Sequence, residues 1–198
     1  MWKTKKIIFL IVIVLILFAG GGFFWWWQGR EIKGNPEDYV IKETEEGKFV
    51  ENKKAGLIVK VPEGWEAKKI EFLGGSIVLY TKDIDGKKQN EMVSPPLKKG
   101  CGIEIAVGYK KMNFNEMEKE IKETHAGLGI KSEEFEVITT NNRQALKNTF
   151  ESIVIGPGIF IYFPSKNEVY EFGTYWAPEE KENCLQEFNK FLETVLIK

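Results

Sequence analysis

Histidine and cysteine are nearly missing from this chain. Its 198 residues hold one histidine, His125, and two cysteines, Cys101 and Cys184. A metal site built on two histidines is excluded within one chain, and no Cys-x-x-Cys pair occurs. A hydrolase triad needs a histidine beside its nucleophile, and the sole histidine falls in a stretch patterned as a surface helix. A basic run of the nucleic-acid kind is also lacking. The 28 Lys and Arg are set against 29 Asp and Glu, and three of the lysines precede residue 7, so the remainder is mildly acidic. The pairs Lys98-Lys99 and Lys110-Lys111 stand alone. Nucleic acid is therefore not an expected partner, and no cofactor or metal is expected. The chain has no internal repeat and no low-complexity segment.

What is present is dominated at the start by Ile7 to Trp27, IIFLIVIVLILFAGGGFFWWW, which holds no charge. At the helical rise this run spans roughly 31 Å, the thickness of a bilayer's hydrocarbon core. It predicts a transmembrane anchor at 7–27 in contact with membrane lipid. Lys5 and Lys6 on one side and Trp25, Trp26 and Trp27 on the other are the expected membrane-interface residues. A cleaved secretory signal is the competing reading. It is disfavoured because the run is long and because cleavage after the glycines would expose five aromatics. The basic N-terminus orients residues 1–6 to the cytoplasm and places the rest outside, as a single-pass protein of the cell membrane.

Residues 28–46, QGREIKGNPEDYVIKETEE, are charged and poor in apolar positions, and predict a tether. The following residues, 47–198, match one ordinary domain in size. Gly56–Val61 alternates as a strand, and Pro62-Glu63-Gly64 is a turn signature ahead of Trp65. SIVLYT (76–81) is a buried-type strand, 83–96 a polar loop, and 102–109 a strand with Ile103, Ile105 and Val107 on one face. Asn113 with Glu116, or Asn115 with Glu118, opens a helix that ends near Gly127. Strands at 135–140 and 144–152 flank an Asn141-Asn142 turn, and 159–163 with 169–176 form a hairpin. Pro178 opens a last helix with Leu185, Phe188, Leu192 and Val195 on its buried face.

The start GLIVKVPEGW and the end, hairpin IFIYFPSKNEVYEFGTYW followed by a helix of the form F-x-x-F-L-E-T-V, resemble PsbP-like domains over about residues 47–198. That family includes extrinsic subunits of photosystem II, a small nuclear-import factor that binds the GTPase Ran, and anchored or secreted bacterial domains without assigned function. The resemblance implies a central, largely antiparallel β-sheet with helices on both faces, an α/β/α sandwich. It also implies a partner-binding module without catalysis. The expected class is thus α+β, an N-terminal transmembrane helix followed by that sandwich.

Several residues invite chemistry. His125 near a helix end, with Glu123 close by, is expected to be solvated. Glu116, Glu118, Glu120 and Glu123 alternate with Lys119 and Lys122 as surface pairs. Asp83-x-Asp85-Gly86 resembles a calcium loop but has Ser94 where the last acid is needed. Neither Gly74-Gly75 nor Gly156-Pro157-Gly158 is followed by the helix start of a phosphate loop. Cys101 and Cys184 either form one disulfide, as an even count outside the cytoplasm permits, or are two unrelated buried thiols. Function is expected to be non-enzymatic, with a protein partner of unknown identity. The alternative is a small-ligand or envelope-sugar binding domain that uses Trp65, Tyr170 and Trp176. A degenerate hydrolase is a third reading.

Overall fold

A computed structural model of the chain describes residues 34–70, 76–89, 92–127, 130–152 and 156–198. Ile32–Lys198 makes up one compact unit. In chain order, a 3-10 turn at Pro36–Asp38 is capped by the Asn35 side chain, which accepts the Glu37 N–H at 3.0 Å. It leads into β1 (Tyr39–Thr44), β2 (Gly47–Asn52), β3 (Leu57–Lys60), β4 (Trp65–Ile70) and β5 (Ser76–Thr81). Then come β6 (Asp85–Gln89), β7 (Met92–Lys99), β8 (Cys101–Gly108), α1 (Phe114–Gly127), β9 (Ile130–Thr140) and β10 (Arg143–Ser152). β11 (Gly158–Pro164), β12 (Val169–Trp176), α2 (Lys181–Glu193) and β13 (Leu196–Ile197) complete the chain.

Three sheets result, in the orders β1-β2-β3-β13, β4-β5-β8-β12-β11-β10-β9 and β6-β7. Every recorded pairing is antiparallel. Alternation along the central strands sends Ile103, Ile105 and Val107 of β8 and Tyr170 and Phe172 of β12 to one side. There they meet Phe188, Phe191 and Leu192 of α2 and Val50, Leu57 and Val59 of the four-stranded sheet. The opposite side carries Leu146, Phe150, Phe160 and Tyr162 under Met117 and Ile121 of α1. Further along that side, Val78 and Tyr175 lie with Leu97 of β7.

This corrects the expected α+β sandwich. Thirteen strands stand against two α-helices among the described residues. Each face of the large sheet is covered by one helix together with strands: a four-stranded sheet on one side, the β6-β7 hairpin on the other. The layers are therefore not α/β/α. The extra strands come from segments whose sequences hide them. Tyr39–Thr44, expected in the tether, is a strand with only Tyr39 buried, so it shows no apolar alternation. Residues 83–96, expected as a loop, contribute β6 and most of β7. Both strands of that pair are edges, where Pro95 and Pro96 are tolerated.

The expected transmembrane helix, and the single-pass cell-membrane location that rested on it, are corrected as well. No helix among the described residues is long and apolar enough to cross a membrane. The two α-helices hold 14 and 13 residues, each with one buried stripe, against the roughly 20 apolar residues a span requires. Residues 7–27, with Lys5, Lys6, Trp25, Trp26 and Trp27, lie outside the described residues.

Local signals elsewhere act where the sequence places them. Asn113 Oδ1 accepts the Glu116 N–H at 3.0 Å, and Glu116 Oε2 accepts the Asn113 N–H at 2.9 Å, a reciprocal capping box for α1. Asn141 and Asn142 have φ of 51° and 57°, the left-handed pair that closes a two-residue hairpin between Thr140 and Arg143. Pro178 sits in the turn before α2 and not in its first turn, because Glu180 N–H bonds Ala177 O at 2.9 Å and the helix begins at Lys181. Cys101 and Cys184 are bridged, with Cα atoms 5.6 Å apart, tying the first residue of β8 to α2.

Candidate functional site

The aromatics singled out in the sequence belong to the core. Trp65 is 8% exposed, Tyr170 2% and Trp176 5%, and all three fall in the same buried cluster. The Tyr170 hydroxyl donates to Ala55 O at 2.6 Å, so its polar end is spent on the fold. The structure brings these three together as packing, and they do not form a ligand-binding surface. Asp83 of the calcium-like stretch pairs with Lys99 at 2.8 Å. His125 is not a solvated helix end. It is buried under α1, its ring centroid 6.0 Å from Phe150 and 6.1 Å from Phe160, and burial holds its pKa below the ordinary value.

Two acids that the sequence did not flag occupy the middle of the large sheet. Glu104 on β8 pairs in register with Gly173, and Glu171 on β12 pairs with Ala106, so the two carboxyls are diagonal neighbours on one face. Part of each residue reaches solvent, but protein packs densely around both. Burial, and then the Glu104 charge, pushes Glu171 up to about 8. Burial also raises Glu104, against the pull of the Ser76 hydroxyl, which donates to its Oε1 at 2.9 Å. Tyr162 faces Glu171 across the strands, and burial with the two acids raises its hydroxyl well above the ordinary value. The floor between these groups is kept flat by glycine. A Cβ on Gly173 would run into the Phe160 ring, and one on Gly102 into the Tyr175 ring. Burial thus holds both acids toward their protonated forms, Glu171 with the further push of its neighbour. Single acids inside otherwise apolar strands carried no motif, so nothing in the sequence singled them out.

The second feature is the outward face of the four-stranded sheet. Register aligns Val40, Glu51, Ile58 and Leu196 in one row across β1, β2, β3 and β13. Lys42, Phe49 and Lys60 form the next row. Val40 is 43% exposed and Leu196 58%, with Ile58 and Phe49 half-buried between them. Lys42 is ion-paired to Glu51, and the Lys60 ammonium lies 6.0 Å from the Phe49 ring centroid. One corner of this sheet is tied down by Asp38, which accepts from the Tyr109 hydroxyl at 3.2 Å and pairs with Lys54 at 3.4 Å. Burial and that acid push Tyr109 up to about 12.

Among known proteins, no family model matches the chain. No curated protein matches its sequence either. Among solved structures, it is similar to the cyanobacterial PsbP (CyanoP) of Synechocystis sp. PCC 6803, with a TM-score of 0.51 at 8% identity over 81% of this chain and 92% of that one. A Bacteroides thetaiotaomicron VPI-5482 protein overlaps more loosely, with a TM-score of 0.43 at 12% identity over 72% of this chain and 45% of that one. With the strand order and layers already described, the likeness to the Synechocystis protein shows that this chain has a PsbP-like fold.

Proposed function

We propose that this chain is a non-enzymatic module that binds a protein partner through the outward face of its four-stranded sheet. The observation that carries the reading is the in-register row Val40, Glu51, Ile58 and Leu196, in which Val40 is 43% and Leu196 58% exposed with Ile58 half-buried between them. The fold it shares with the Synechocystis protein supports the same reading. The ligand-binding alternative finds no support in a particular observation, since Trp65, Tyr170 and Trp176 are core residues.

The test compares the full chain with a Val40→Glu, Leu196→Glu double variant as baits in extracts of the native cells. Both positions are exposed, so the variant is expected to keep its fold and melting temperature. The expected result is a protein retained by the wild type and reduced about tenfold on the variant, the scale of losing one or two interface anchors. Equal recovery on both baits would remove this face from the function.

A further inference from the structure

We infer that Glu104, Glu171 and Tyr162 form a binding site for an organic cation, the primary ammonium group of a small alkylamine. The site lies on the side of the large sheet away from Trp65, Tyr170 and Trp176, and it uses no residue of the four-stranded sheet. It is therefore independent of the partner-binding reading.

Along β8 and β12 every residue is buried except Glu104, Ala106 and Glu171, which are half-buried. All three face the side that carries α1 and the β6-β7 hairpin. The middle of the sheet is thus open to solvent between the cluster under α1 and the cluster around Leu97 of β7. Register makes a patch of four residues there, with Glu171 beside Ala106 and Glu104 beside Gly173. The acids sit on one diagonal and two very small residues on the other, so the centre of the patch is low. Tyr162 of β11 stands next to Glu171, and Val78 of β5 next to Glu104. The Ser76 hydroxyl, bonded to Glu104 at 2.9 Å, holds that carboxyl in place.

Two acids on a sheet do not by themselves make a site, and the second observation is Tyr162. It is 2% exposed, and among the described residues its hydroxyl has no hydrogen-bond partner. Both acid charges act on that hydroxyl, so it is directed at them, yet it bonds neither. Tyr175 repeats the pattern at 7% exposure, with Glu104 acting on a hydroxyl that has no partner among the described residues. Buried polar groups are normally paired, and each exception calls for an explanation.

An ammonium group carries three donors and no acceptor, which matches two carboxylates and one phenol oxygen. An anion is repelled by the acids. A divalent ion takes more oxygen ligands than these, and no group of three or more Asp, Glu, His or Cys side chains able to hold a metal occurs among the described residues. The Phe160 ring occupies the place of a Cβ on Gly173, and the Tyr175 ring that of a Cβ on Gly102. Aromatic carbon therefore borders the acids, as suits a cation with an alkyl stem. Neighbouring carboxyls resist ionising together, and a cation between them removes that penalty.

The test is thermal melting of the full chain at about pH 8, where a primary amine keeps its charge. Butylammonium chloride at about 100 mM is expected to raise the melting temperature by roughly 3–6 °C, the shift produced at about ten times the dissociation constant. Butanol or sodium chloride at the same concentration is expected to leave it unchanged. Glu104→Gln and Glu171→Gln, which keep the side-chain shape, are each expected to lose most of the shift. Tyr162→Phe deletes only a hydroxyl that the fold does not bond, so it keeps the test readable should a glutamine variant fail to fold. It is expected to lose about half of the shift. A shift no larger than that with sodium chloride overturns the proposal, as does a full shift in any of the folded variants. A larger shift with calcium chloride at matched ionic strength, lost in the same variants, would also overturn it and make the acids a metal site.

Discussion

At the residue scale, Glu171 makes folding sensitive to pH in the unusual direction for an acid. Its pKa rises from an ordinary 4.5 to about 8 on folding. Between those values the folded chain holds a proton that the unfolded chain has released. The stability is therefore fully present below the lower value and is lost as pH rises through the upper one. Glu51 and Asp83 act oppositely, since their lysine partners Lys42 and Lys99 hold them below the ordinary range, and they matter only at more acidic pH. The melting temperature of the full chain is expected to fall as pH is raised from about 5.5 to about 8.5. Glu171→Gln, which keeps the shape and removes the charge, is expected to flatten that decline and to melt higher than wild type at the alkaline end. Parallel curves for the two proteins would mean that Glu171 is ionised in the fold at neutral pH.

At the element scale, α1 is held by a narrow buried stripe and by its cap. Met117, Ile121 and His125 are the buried residues among its 14. The reciprocal Asn113 and Glu116 bonds satisfy two of the backbone donors that every helix start leaves open. Asn113→Ala is expected to cost about 1 kcal/mol, and Asn113→Ser much less, measured by urea denaturation. A loss at Ala no larger than that at Ser would mean that packing on Phe150 and Phe160 holds the helix unaided. The cap was legible because it is written in four consecutive residues. The true surroundings of His125 were not, because a helix position shows only that it faces inward once the sheet beneath it is known.

At the scale of the whole molecule, the Cys101–Cys184 bridge closes a loop between residues 83 apart and joins the large sheet to the helix that covers it. Chain entropy puts its contribution at about 4–5 kcal/mol. The domain buries a large core on both faces of its central sheet, so it should survive without the bridge. A Cys101→Ala, Cys184→Ala double variant is expected to stay folded by circular dichroism at room temperature and to melt roughly 10 °C lower, at a few degrees per kcal/mol for a domain of this size. A variant already unfolded at room temperature would show that the bridge is required for the fold, and an unchanged melting temperature would show that it contributes nothing.

Much of this arrangement was decided within a few residues of chain. The continuous apolar run at 76–81, the alternation over 102–109, the turn signals at Asn141-Asn142 and Pro164–Asn167, and the cap at Asn113 each report a local preference, and each appears in the structure as β5, β8, two hairpins and α1. What needed the tertiary structure was everything set by partners far along the chain. β8 lies between β5 and β12, Tyr39–Thr44 is a strand because β2 is beside it, and Leu196–Ile197 is one because β3 is. The same long-range pairing buries Trp65, Tyr170 and Trp176, brings Glu104 and Glu171 together, and brings Cys101 to Cys184. Dihedral preference and side-chain periodicity act over one or two turns of chain, whereas register and layering are won by contacts between distant segments, and no single stretch of sequence contains them.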